Sequence, residues 1–97
     1  MEVEDRPEQH RFVANVDGRV AELVYQLDGD RLILIHTGVP GKLAGSGIGG
    51  QLVRASIDRA VRDGLTIVPA CPFARQWIKD HGDEIGDVAI EWGPGSH

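Results

Sequence analysis

Four glycines in six residues, Gly45-Ser46-Gly47-Ile48-Gly49-Gly50, stand between an apolar strand and a helical stretch. Glycine lets a backbone approach a ligand with no Cβ in the way. The first amides of a helix carry partial positive charge, so a loop that opens a helix suits a phosphate. Taken alone, the glycines fit a flexible turn into a helix equally well. Two phosphate-binding loops are excluded by what surrounds them. A Walker A loop needs Gly-Lys-Ser/Thr, and no lysine follows here. A dinucleotide-binding fold begins with a parallel βαβ unit and places an acidic residue on its second strand. Here three strands joined by tight turns come first, and the strand after the helix ends in Pro69-Ala70-Cys71.

Those three strands are read from alternation and turn chemistry. Phe12-Val13-Ala14-Asn15-Val16 leads into Asp17-Gly18, where glycine accepts the positive φ of a hairpin turn. Val20 to Leu27 is the second strand, with Ala21, Leu23 and Tyr25 on one face and Val20, Glu22 and Val24 on the other. After Asp28-Gly29-Asp30, Leu32 to Val39 is apolar on both faces, which predicts a covered strand inside the sheet. Beyond Pro40 the period becomes helical. Ile48, Leu52, Val53, Ile57, Ala60 and Val61 share a face, and Asp63-Gly64 marks the stop.

Leu65-Thr66-Ile67-Val68-Pro69 is a short buried strand. A helical crossover makes it parallel to the third strand. Pro72 opens a second helix, with Phe73, Trp77, Ile78 and His81 on one face and Gly82 at its end. Residues 84–92 are read as a last extended piece containing Val88, Ile90 and Trp92. The prediction is therefore α+β: a mixed sheet of three antiparallel strands, a parallel βαβ crossover and two helices. Residues 1–9 are expected to be a flexible lead-in, 10–92 one domain, and 93–97 a flexible tail.

Length and charge narrow the partners. A chain of 97 residues has room for one core. A formal net charge of −5 argues against nucleic acid, whose binders present a basic face. Neither a signal peptide nor a membrane-length apolar run is evident. The lone Cys71 precludes an internal disulfide and fits a reducing compartment. A cytoplasmic protein with no membrane partner is expected, and no metal-ligand spacing appears among its Cys and His residues.

Three segments carry a family resemblance. They are Ile35-His36-Thr37-Gly38-Val39-Pro40, then Gly45-Ser46-Gly47-Ile48-Gly49 with Leu52-Val53-Arg54-Ala55, and Gly64-Leu65-Thr66-Ile67-Val68-Pro69-Ala70-Cys71-Pro72-Phe73. In this order and spacing the chain resembles the GNAT superfamily, and its short stand-alone N-acetyltransferase domains above all. The likeness covers residues 10–82. It implies a minimal GNAT-like fold with acetyl-CoA as ligand. The pyrophosphate is then expected on the amides of Gly45, Ser46, Gly47, Ile48 and Gly49, and the pantetheine arm beside Thr37 and Val39. Pro72 and Phe73 are expected at the wall of the groove. The thioester is expected where the next strand splays away. Two positions and one triplet depart from the pattern: Ala44 where Arg or Gln is usual, Gly38 where an acidic residue is frequent, and Asp80-His81-Gly82 where relatives tend to carry a basic residue, His and Pro.

Cys71 and His36 are the candidate catalytic residues, both at carboxyl ends of adjacent strands. A neutral imidazole at His36 suits proton abstraction from an attacking amine. Cys71 precedes a helix start, which stabilises a thiolate, so an acetyl-cysteine route stands beside direct attack. Each also has a plain structural explanation, as a small buried apolar residue and a hydrogen-bonded core histidine. Phe73 and Trp77 read either as core or as groove wall. Arg54, Arg59 and Arg62 read as solvated charges, with Lys42 and Arg75 as further candidates for the phosphates. The expected function is acetyl transfer from acetyl-CoA to a primary amine, on a small molecule or a lysine, by a monomer or homodimer. A non-catalytic acetyl-CoA-binding module is the alternative.

Overall fold

The computed structural model describes residues 3–93. Five strands form one sheet in the order β1-β2-β3-β4-β5: Val3–Arg6, Arg11–Val16, Arg19–Asp28, Arg31–Gly38 and Thr66–Pro69. The first four are antiparallel and β5 runs parallel to β4. Two helices complete it, α1 at Ile48–Asp63 between β4 and β5, and α2 at Pro72–Asp80. The α+β mixed sheet with its parallel crossover is as predicted.

Alternation fixes which side of each strand is buried. Phe12 and Ala14 on β2, Ala21, Leu23 and Tyr25 on β3, Leu32 and Leu34 on β4, and Ile67 on β5 join one core cluster. Against them pack Ile48, Leu52, Val53, Ile57 and Ala60 of α1, and Ala74 and Ile78 of α2. Gly64, at φ +69°, ends α1 in a left-handed cap. Asp17 and Gly18, at φ +53° and +80°, make the tight β2–β3 turn.

Three expectations need correcting. Residues 3–6 are not a flexible lead-in, because β1 pairs with β2 from Val3↔Ala14 to Arg6↔Arg11. Side chains hold it as well. The Tyr25 hydroxyl donates to Asp5 Oδ1 at 2.6 Å, and Arg59 Nη1 lies 2.9 Å from Asp5 Oδ2 and 2.6 Å from the Tyr25 oxygen. Arg59 is therefore a mostly buried tie between α1 and β1 rather than a solvated charge. Second, β4 is an inner strand but is covered on one face only: Ile35 is 43% exposed. Third, residues 84–92 contribute one bridge, Ile90 to Ile67, instead of a strand. Arg75 is used within the fold, its guanidinium donating to the Trp92 carbonyl. The predicted tail falls largely on residues 94–97, which lie outside the described residues.

The Asp5–Tyr25–Arg59 tie makes stability pH-dependent at the alkaline end. Burial, with the Asp5 carboxylate beside it, pushes the Tyr25 hydroxyl from 10 up to about 12. The folded state thus favours the neutral phenol. Its contribution is complete below pH 10 and is lost as pH rises through 12. Urea denaturation of the wild type is expected to lose stability on the order of 2 kcal/mol across that window. Tyr25→Phe is expected to flatten that slope, and an equal slope in both proteins refutes the assignment.

Candidate functional site

The β4/β5 pairing stops early. Its register runs from Arg31↔Thr66 to Leu34↔Pro69, and β4 continues to Gly38 with no β5 residue opposite. The Cys71 amide closes the ladder by donating to the Leu34 carbonyl at 2.8 Å. Beyond it the two strands part, and the last residues of β4 present an open edge.

A groove of about 590 Å³ begins at that edge, a size typical of small-molecule sites. Thr37 and Val39 line one side of it. Leu43, Ala44, Gly45, Gly47, Ile48, Gly49 and Gly50 form its floor, and Phe73 and Trp77 of α2 form its far wall. The first intrahelical bond of α1 runs from the Gln51 amide to the Gly47 carbonyl. The amides of Ile48, Gly49 and Gly50 therefore have no acceptor within the helix. Gly47 at φ +86° and Gly45 at φ +82° turn the chain so that the helix starts there. Helix amides without an intrahelical acceptor and an apolar wall thus share one groove.

The predicted cofactor residues divide. Thr37, Val39, Gly45, Gly47, Ile48, Gly49 and Phe73 line the groove. Ser46 turns away: its amide and its hydroxyl both bond the Leu43 carbonyl, at 3.1 and 2.5 Å, which locks the loop. Pro72 is exposed at the α2 start and is not among the lining residues.

Gly49 and Gly50 also serve packing. A Cβ at Gly49 would lie 2.7 Å from the Phe73 ring, and one at Gly50 would lie 2.5 Å from Trp77 Nε1. The glycines let α2 bring its aromatic rings down onto the helix start. His81 stacks on Trp77 with ring centroids 4.1 Å apart, and the Arg54 guanidinium lies 5.2 Å from the Trp77 ring centroid. Trp77 lines the groove, the second of the two roles its spacing with Phe73 allowed, whereas Leu43, Ala44 and Gly50 were not predicted as lining residues.

Cys71 and His36 are not brought together. Cys71 is 3% exposed, with its Sγ 3.3 Å from Thr37 Oγ1. It buttresses the groove residue Thr37 from the core. His36 is exposed on the opposite face of the sheet, and a bulge puts it there. Tyr25 pairs with Leu34 and Val24 with His36, so Ile35 is an extra residue in β4. Before the bulge, Leu32 and Leu34 face the core. After it, Thr37 opposite Leu23 faces the core, and His36 and Gly38 face out. On that outer face a Cβ at Gly38 would lie 3.5 Å from His36 Nε2 and 3.7 Å from Glu22 Oε2. Arg11 Nη1 holds the other oxygen of Glu22 at 2.7 Å.

Comparison with known proteins agrees with this geometry. A family model described as GCN5-related N-acetyl-transferase matches residues 11–88. A GCN5-like protein from Staphylococcus aureus, solved in solution by NMR, is similar in structure with a TM-score of 0.71 and 28% identity. That match covers 99% of this chain and 96% of the other. A comparison with curated proteins finds no match. Among the described residues no helix is long and apolar enough to cross a membrane. The matched model spans all of the sheet except β1 and β5's far neighbour at Ile90, together with both helices and the groove, and the chain belongs to the GCN5-related N-acetyltransferase family.

Proposed function

We propose that the protein transfers the acetyl group of acetyl-CoA to a primary amine. The observation that carries this reading is the groove itself, which joins free helix amides at one end to an unpaired strand edge at the other. The amides of Ile48, Gly49 and Gly50 suit the pyrophosphate of the donor. The open edge beside Thr37 and Val39 suits the amide-bearing pantetheine arm, which pairs with a strand as another strand does. Phe73 and Trp77 wall the arm from water. The thioester then lies near the parting of β4 and β5.

The chemistry is direct attack. The amine nitrogen adds to the thioester carbonyl carbon, the C–S bond breaks, and CoA leaves as a thiolate that is protonated to the thiol. The amine gives up its proton to solvent or to a base on the outer face. Burial of Cys71 behind Thr37 favours this route over an acetyl-cysteine intermediate.

Calorimetric titration with acetyl-CoA, followed by a screen for amine-dependent release of CoA, tests the reading. One-to-one binding with turnover supports it. Binding without turnover for any amine identifies a non-catalytic acetyl-CoA-binding module, and no binding at millimolar donor removes both. Cys71→Ala is expected to keep at least about half of the wild-type kcat, because a thiol that only packs contributes no chemical step. A loss of several orders of magnitude in a folded Cys71→Ala protein restores the covalent route.

A further inference from the structure

We infer that Thr37 is a catalytic residue whose hydroxyl hydrogen-bonds the thioester carbonyl oxygen as that oxygen gains negative charge. The inference rests on the transfer reading above and adds to it the side chain that stabilises the reacting group. It starts from the chemistry of the groove lining. Among the described residues, none that lines the groove is Asp, Glu, His, Lys, Arg, Cys or Tyr. Only Thr37 and Trp77 bring a side chain with a polar hydrogen to it. Trp77 Nε1 is packed over Gly50 at the start of α1, 2.5 Å from where a Cβ would stand. Thr37 is on β4, at the other end.

Position puts Thr37 beside the reacting atoms. The last β4/β5 pair is Leu34↔Pro69, and Thr37 lies beyond it on the stretch of β4 that has no β5 partner. Back from the helix start, the chain leads to Val39 and then to Thr37. An arm anchored on the amides of Ile48, Gly49 and Gly50 therefore meets Val39 first and Thr37 second. Its far end, the thioester, comes to rest by the Thr37 side chain.

The hydroxyl is also held ready. It has one hydrogen to donate and two lone pairs to accept with. Thr37 Oγ1 lies 3.3 Å from Sγ of the buried Cys71. With the thiol donating to one lone pair from behind, the hydroxyl hydrogen is left for the groove. Sulfur is a weak acceptor and gives that hydrogen up to an arriving oxygen. Branching at Cβ restricts the Thr37 rotamer, so the hydroxyl is in place before the ligand. A donor fixed in advance needs no reorganisation when charge develops. In the step itself the amine lone pair forms the C–N bond, and the carbonyl π electrons move onto oxygen, where Thr37 donates. Those electrons return to re-form C=O, the C–S bond breaks, and sulfur leaves with its electron pair. The amine proton goes to solvent, and the thiolate takes one from water. Thr37 keeps its own proton throughout.

The test uses acetyl-CoA and a short peptide carrying one lysine. Thr37→Val removes the hydroxyl and keeps the branched shape, and it is expected to lower kcat roughly 100-fold. Its Kd for acetyl-CoA, measured by calorimetry, should stay within about twofold of wild type. Thr37→Ser keeps the hydroxyl and should retain at least about a third of the wild-type kcat. Near-wild-type kcat in Thr37→Val overturns the assignment and leaves the transfer reading standing. So does a Thr37→Ser protein as slow as Thr37→Val, or a fall in acetyl-CoA affinity that matches the fall in kcat. Should the wild type acetylate no amine, the transfer reading falls separately. The hydroxyl is then judged by infrared spectroscopy of bound acetyl-CoA, isotope-labelled at the carbonyl. A carbonyl stretch at lower frequency in wild type than in Thr37→Val sustains the hydrogen bond. Equal frequencies, or no bound acetyl-CoA, refute it.

Discussion

Gly47→Val is expected to weaken acetyl-CoA binding by about tenfold or more while leaving the protein folded. Gly47 caps α1 at φ +86°, in the left-handed region. An L-residue there costs roughly 1–2 kcal/mol, and a β-branched one is worse placed than most. The loop escapes that cost by rotating, and rotation turns the amides of Ile48, Gly49 and Gly50 away from their common target. A loss of 1.4 kcal/mol in binding is a factor of about ten. Gly18→Val is the matched control. Gly18 also has a positive φ, of +80°, but in the β2–β3 turn and outside the groove. It should cost similar stability and leave acetyl-CoA affinity unchanged. Calorimetry on both variants decides the matter, and wild-type affinity in Gly47→Val removes the helix start from the binding site.

Leu52→Ala should cost about 3 kcal/mol of stability, measured by urea denaturation. Leu52 has no exposed surface and sits on the second turn of α1, in the cluster shared with the sheet. Its truncation leaves a cavity that a short helix pinned at both ends closes poorly. At roughly 0.05–0.15 kcal/mol per residue, a chain this size has little to spare. The same change corresponds to a drop in Tm of roughly 12–24 °C. Val61→Ala on the same helix is the contrast. Val61 is 63% exposed, and its truncation should cost under about 0.5 kcal/mol. Equal losses in the two variants would show that helix propensity, rather than burial, sets the stability of α1.

The central strands and both helices were legible because their local patterns agree with their tertiary roles. Ala21, Leu23 and Tyr25 alternate on β3, and Leu52, Val53, Ile57 and Ala60 recur at helical spacing on α1. β1 was not legible. Val3-Glu4-Asp5-Arg6 reads as a polar lead-in, and it becomes a strand because Tyr25 and Arg59, far along the chain, satisfy Asp5. The covered state of β4 was misread for a similar reason: apolar residues on both faces do not say whether a second layer exists. The glycine loop opens α1 where the sequence put it, and two of its glycines are required by packing whatever the loop binds. Gly49 and Gly50 also give Phe73 and Trp77 room, a requirement set by another helix. The facing of His36 was hidden altogether. Strict alternation would place it with Leu32 and Leu34, and only the pairing with β3 reveals the extra residue at Ile35.

That extra residue has a consequence for how such a protein changes over generations. Upstream of Ile35 the even-numbered positions of β4 belong to the interior, and downstream the odd-numbered ones do. Thr37 and Val39 line the groove, whereas His36 and Gly38 lie on the other face of the strand. Mutations at alternate positions of one short segment are thereby insulated from each other. Change at 36 and 38 can therefore remodel the outer face of the strand without disturbing the groove, so a lineage built on this strand can vary one of its faces while the other stays the same.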